Sequence, residues 1–173
     1  MLYTVECTFS NPSEEPEWNR FYSEDKLPAL ISVSGFLTSQ RFKALTSGCP
    51  VYLAIHTITG EAVLSSNNYR EQGGGNFARW QPFITDWHRN IYTGIEVAPS
   101  VAEGDYLLLC GSGPQPLAEL GLTPIALQAT ALDKEPESRW MAVVSDIEIT
   151  DLMERLPADV HLYQPLGRQL ISC

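Results

Sequence analysis

The stretch Pro50–Ile58, PVYLAIHTI, decides how this chain is read. It is short, β-branched, aromatic and almost continuously apolar, which marks a central strand of a sheet covered on both faces. Side chains alternate across a strand. Val51, Leu53, Ile55 and Thr57 therefore share one face, and Tyr52, Ala54 and His56 share the other. The first set suits a helix layer. The second, with its phenol and imidazole, is expected to line a cavity.

Upstream, Leu2–Phe9 sets Tyr3, Val5, Cys7 and Phe9 against Thr4, Glu6 and Thr8, the pattern of a half-buried strand. SNPSEEPEW then opens a helix, with Ser13 as its cap, Pro16 in the first turn and acids at the positive end of the dipole. Trp18, Phe21 and Tyr22 share one face of it. Ser23-Glu24-Asp25 starts a shorter turn carrying Leu27, Leu30 and Ile31, and Gly35 opens a second strand running to about Leu45.

Downstream of the organising strand, Gly60–Tyr69 reads as a helix and the glycine run Gly73–Gly75 as a mobile flap. Phe77, Trp80, Ile84, Trp87 and Ile91 recur at helical steps and predict a helix, and Asn90–Val97 predicts a fourth strand. That order, β-α-β-β-α-β, is the ferredoxin-like unit. Asp105–Gly111, Pro114–Gly121, a hairpin of Thr123–Leu132 and Arg139–Ser145, a helix from Asp146 to Leu156, and a strand at Asp159–Tyr163 repeat the order. The expected architecture is α+β: two fused ferredoxin-like halves, residues 1–98 and 99–173, closing as a pseudo-dimeric α/β barrel.

With 173 residues, 44% of them hydrophobic, the chain can bury a substantial core. A net charge of -10 argues against nucleic acid and against anionic membrane surfaces. No apolar run approaches the ~20 residues of a membrane span. MLYTVECTF lacks a basic leader and does not read as a signal peptide. Cys7, Cys49, Cys110 and Cys173 are scattered without a CxxC pair, as expected of reduced thiols in a cytoplasmic protein. The three histidines show no HxH or HExxH spacing, so no metal site is expected.

A ferredoxin-like sheet has helices on one face only, so the two bare faces are expected to pack together and enclose a lined cavity. If strands one and three are antiparallel neighbours with Glu6 opposite Ala54, His56 lies one diagonal away, ~7 Å by backbone. A carboxylate beside an imidazole is a candidate acid/base pair. Glu6 and His56 are thus the catalytic candidates, with Tyr52, Tyr92, His161, Arg41 and Trp80 as candidate substrate contacts. His88, on the expected aromatic helix, reads as solvated, and Cys7 as core.

EWNRFYSEDKLPALISVSGFLTSQRF, followed by PVYLAIHTI and ARWQPF, resembles the EthD-like branch of the dimeric α/β-barrel superfamily over roughly Leu2–Val97. The resemblance implies a ferredoxin-like fold, sheets paired into a barrel, and a site between them. It implies members such as isomerases, cyclases, cofactor-free monooxygenases and, more distantly, haem enzymes. The family's turn usually carries histidine where this chain has Lys26. The functional expectation is a cofactor-independent enzyme moving protons next to a carbonyl of a small, partly apolar molecule. The alternatives are a non-catalytic or stress-associated ligand-binding barrel and a haem-binding barrel. Outer helices and edges leave room for a homodimer.

Overall fold

The structure is a computed structural model that describes residues 1–74, 76–145 and 147–173. Eight antiparallel strands close into a barrel: β1 (Leu2–Phe9), β2 (Phe36–Ala44), β3 (Tyr52–Ile58), β4 (Ile84–Thr93), β5 (Tyr106–Cys110), β6 (Ile125–Leu132), β7 (Ser138–Val144) and β8 (Val160–Pro165). Around the barrel the order is β3-β1-β4-β6-β7-β5-β8-β2, and β2 pairs back to β3. A short β9 (Leu170–Ile171) adds to β2 from outside. The helices are few and short: α1 (Glu15–Phe21), α2 (Leu27–Ile31), α3 (Asn67–Glu71), α4 (Gln115–Glu119) and α5 (Ile149–Arg155). Among the described residues no helix is long and apolar enough to cross a membrane.

Strand parity splits the core. Leu2, Phe42, Leu53, Ile55, Tyr92, Leu107, Leu109, Leu127, Met141 and Tyr163 fill the barrel. Tyr3, Val5, Cys7, Phe9, Tyr52 and Ala54 face outward under α1 and α2, where Trp18, Tyr22, Leu27 and Leu30 cover them. Trp18 is the keystone of that layer, stacked on Phe9 at 4.7 Å and edge-on to Tyr52 at 4.9 Å. A separate outer layer packs α4 and α5 on β5, β7 and β8 through Leu108, Leu117, Leu152 and Leu162.

The alternation of β1 places its residues as the sequence predicts, but β3 is turned over. Leu53 and Ile55 point into the barrel, while Tyr52, Ala54 and His56 lie on the helix side. Every residue of β3 is buried. A strand covered on both faces carries no polar side to mark its outside, so alternation fixes the two sets but not which is which.

The predicted helix over Phe77–Ile91 is also corrected. A 3₁₀ turn at Ala78–Phe83 runs directly into β4. Ala78 and Asp86 sit at positive φ, which interrupts any helix there and leaves Trp87 and His88 on a strand. Gly60–Tyr69 becomes a 3₁₀ turn at Glu61–Ser65 followed by α3, capped by the Ser66 hydroxyl, which accepts from the Tyr69 amide. Ser13 does not cap α1; its hydroxyl donates to Asn11 Oδ1 instead. The expected start of α5 at Asp146 and the end of the Gly73–Gly75 flap at Gly75 lie outside the described residues.

Candidate functional site

One end of the barrel carries a pocket of about 320 Å³. Its floor is an ion pair. Arg139 shares the inward parity of Met141 on β7, and its Nη1 and Nη2 donate to Glu6 Oε2 and Oε1 at 3.1 and 2.9 Å. Both side chains are almost wholly buried, at 7% and 5% exposure. Burial opposes the guanidinium charge, but the Glu6 carboxylate, with smaller contributions from Tyr163 and Tyr92, outweighs it, so Arg139 is held above its ordinary value.

The rim is supplied by both parts of the chain. His88 on β4 is the direct cross-strand neighbour of Glu6, and its Nε2 lies 3.2 Å from Asp86 Oδ1. His161 enters from β8, opposite Leu109 on β5, and Gly48, Cys49 and Pro50 close the side between β2 and β3. Half-burial, and then the charge of Arg139, push the His161 imidazole down, so the neutral, proton-accepting form is favoured. His161 and Arg139 stand on β8 and β7 with β5 between them and two positions apart in register, which separates their backbones by about 12 Å. A small molecule fits that gap. Deeper inside, the buried Tyr163 hydroxyl and Thr4 Oγ1 have no partner among the described residues.

The expected pairing of Glu6 with His56 does not occur. Glu6 lies opposite Leu53, and His56 lies opposite Tyr3. The two ionisable groups are on opposite faces of the sheet. His56 is fully buried on the helix side between Tyr3 (5.5 Å, stacked) and Phe36 (5.2 Å, edge-on). Its Nδ1 is 2.7 Å from Ser39 Oγ, and Nε2 has no partner among the described residues. Desolvation lowers its pKa to about 3. The void beside it measures about 10 Å³, room for one water and none for a porphyrin.

The remaining candidates separate in the same way. Tyr92 faces the barrel interior, where its hydroxyl donates to Pro136 O at 2.9 Å. Tyr52 is on the helix side and donates to Glu15 Oε1 at 2.5 Å. Arg41 is buried rather than exposed, stacked 4.1 Å over the Tyr22 ring and donating to Asn19 and Ser23. Trp80 packs on Phe21 at 4.8 Å, remote from the barrel mouth. Of the seven candidates, Glu6 and His161 line the mouth, and Tyr92 lies within the barrel. Arg139 and His88 complete the pocket. Arg139 was legible as a cation at an inward position of the otherwise apolar strand Trp140–Val144, but strand parity there needs the partner strands to be known.

No protein-family model matches the chain, and neither does any curated sequence. Three solved structures do. The crystal structure of a "Putative monooxygenase" from Fusobacterium nucleatum subsp. nucleatum matches with a TM-score of 0.57 at 11% identity, over 96% of this chain and 93% of that one. An "anthrone oxidase-like protein" matches with a TM-score of 0.49 at 10% identity, over 99% and 93%. A "putative monooxygenase" from Lactobacillus acidophilus NCFM matches with 0.48 at 11% identity, over 99% of both chains. The chain shares the fold of the Fusobacterium protein along nearly its whole length.

Proposed function

We propose that this protein is a cofactor-independent enzyme that transfers a proton next to a carbonyl group of a small, partly apolar molecule bound in the barrel mouth. The observation that carries this reading is the Arg139 guanidinium, anchored by Glu6 and facing neutral His161 across a pocket of about 320 Å³. Removing a proton beside a carbonyl places negative charge on the oxygen, and a fixed guanidinium stabilises that charge as it develops. His161 takes the proton as general base. His88, backed by Asp86, stands on another wall of the mouth and returns a proton to a different carbon, which completes an isomerisation. Glu6 acts through Arg139 and is a positioning residue. Tyr92 shapes the interior. The name carried by the Fusobacterium protein is compatible, because an enolate is the electron-rich species that an oxygenation needs.

The same reading extends to architecture. Each half of the barrel, β1–β4 and β5–β8, has its four strands in the order fourth, first, third, second. That order supports two fused ferredoxin-like halves related as in a pseudo-dimer, with the first half EthD-like.

The test is proton exchange. In D₂O, 1,3-cyclohexanedione and 2-cyclohexenone are incubated with the protein and carbon-bound deuterium is followed by NMR. Wild type accelerates exchange, and His161→Gln and Arg139→Met lower the rate by ~100-fold or more. Exchange that is equally fast in His161→Gln would remove the base from the mechanism.

A further inference from the structure

A second chemically unusual group lies on the opposite face of the sheet from the barrel mouth. Lys26 ends the π-helical turn Tyr22–Lys26, and Pro28 follows in the first turn of α2. Its side chain is carried inward, to 6% exposure, beneath the aromatic layer. Nζ donates to two backbone carbonyls, Gly73 O at 2.8 Å and Asn76 O at 2.5 Å, and rests 4.8 Å from the Phe77 ring centroid. Among the described residues no carboxylate forms an ion pair with it, although Asp25 lines the same groove.

We propose that Lys26 is an amine nucleophile that condenses with small aromatic aldehydes or ketones entering from the groove that α2 forms with Gln72, Gly73, Asn76 and Ala78. The groove, about 260 Å³, has Lys26 at its inner wall and the apolar surfaces of Phe21 and Ala29 beside it. Lys26 also lines the void next to His56, so its amine stands between solvent and an aromatic interior. That position suits a planar ring carrying a carbonyl. Nζ adds its lone pair to the carbonyl carbon, and the oxygen takes a proton to give a carbinolamine. Loss of the amine proton and of the hydroxyl as water leaves the C=N bond. The reaction needs no oxidant or reductant.

The charge state supports the chemistry. Burial lowers the Lys26 pKa from 10.5 to about 8, against a lesser opposing contribution from Cys7. Of the groups beside it on the inner void, His56 and Tyr22 carry no charge that would hold the ammonium form at neutral pH. None of the residues at the barrel mouth takes part in this condensation.

The chain has three lysines, Lys26, Lys43 and Lys134, so labelling can be assigned without ambiguity. Folded wild type is incubated with benzaldehyde and sodium cyanoborohydride at pH 7.5, and benzyl adducts are mapped by peptide mass spectrometry. Lys26 is expected to react at least ~10-fold faster than Lys43 or Lys134, because burial favours its unprotonated amine and the groove collects the aldehyde beside it. The adduct disappears in Lys26→Met and persists in His161→Gln. Labelling of Lys26 in wild type no faster than of the other two lysines overturns the proposal, whatever the variants do.

Discussion

Arg139 and Glu6 form an ion pair with almost no access to water, and the energetics of such a pair are lopsided. Desolvation costs both partners heavily, and only their mutual attraction and two parallel hydrogen bonds offset it. Removing one partner is therefore far worse than removing both. Glu6→Leu should lower unfolding stability by about 3–5 kcal/mol, whereas the double change Glu6→Leu/Arg139→Met should recover most of the loss. Urea denaturation of the two variants measures this, and a double variant as weak as the single one contradicts it. His56 gives a pH signature. Its folded-state pKa is lowered to about 3 from 6.5, so the unfolded chain takes up its proton first as pH falls. The stability that neutral His56 confers is complete above pH 6.5 and is lost progressively toward pH 3. Wild type should lose stability relative to His56→Phe across that window, and a flat difference would show that the imidazole is not desolvated. Lys26, lowered to about 8, gives the alkaline counterpart: wild type gains on Lys26→Met as pH rises from 8 to 10.5.

Among the elements, β1 and β3 show what sequence pattern can and cannot supply. The polar face of β1 includes a glutamate, so its inward side was readable from alternation alone, and Glu6 does face the barrel. β3 is buried throughout and carries a polar residue on each face, His56 and Thr57, so alternation alone points its two faces the wrong way round. This single inversion moved His56 and Tyr52 out of the expected site. The end of β4 coincides with the strand expected from Asn90, but its first part, Ile84–Arg89, reads as helix because Trp80, Ile84, Trp87 and Ile91 recur at helical steps; a positive φ at Asp86 and a register shift between Glu6 and Thr8 bend the strand there. Neither has a sequence signature beyond an aspartate, one of the residues that tolerate the left-handed region. The second set of elements, with short strands and clear turn residues, fell close to its expected bounds at β5, α4, β6 and β7. Gly94, just after β4, is the element-scale weak point. It holds φ at 123°, and an added Cβ would meet the backbone carbonyl of Ala126 on β6, which has little freedom to move. Gly94→Ala should therefore destabilise by about 2–3 kcal/mol, through strain at the β4–β6 seam. Gly104→Ala is the control, because its Cβ would meet no heavy atom within 4 Å although its φ is also positive. Equal melting temperatures for the two variants would show that the close approach to Ala126 is unimportant.

For the whole molecule, the barrel is joined along two seams, β4 to β6 and β8 to β2. They connect residues 1–98 to residues 99–173. Cut there, the first fragment would leave Leu2, Phe42, Leu53, Ile55 and Tyr92 facing water. Burying each such side chain is worth about 1.5–3 kcal/mol, so an open half sheet bears a large penalty that only a second sheet relieves. The linkage between the halves supplies proximity rather than contacts, and proximity can be replaced by concentration. Residues 1–98 and 99–173 produced as separate chains should therefore associate into a 1:1 complex that restores the pocket. Each alone should aggregate or pair with itself. Size-exclusion chromatography with light scattering distinguishes these states, and cyclohexanedione exchange in the reconstituted complex reports whether Glu6, His88, Arg139 and His161 have come back together. A first fragment that remains a folded monomer with a cooperative melt would mean that its inner face is satisfied without the second. The closed barrel would then be a consequence of the covalent connection and not the reason that either half folds.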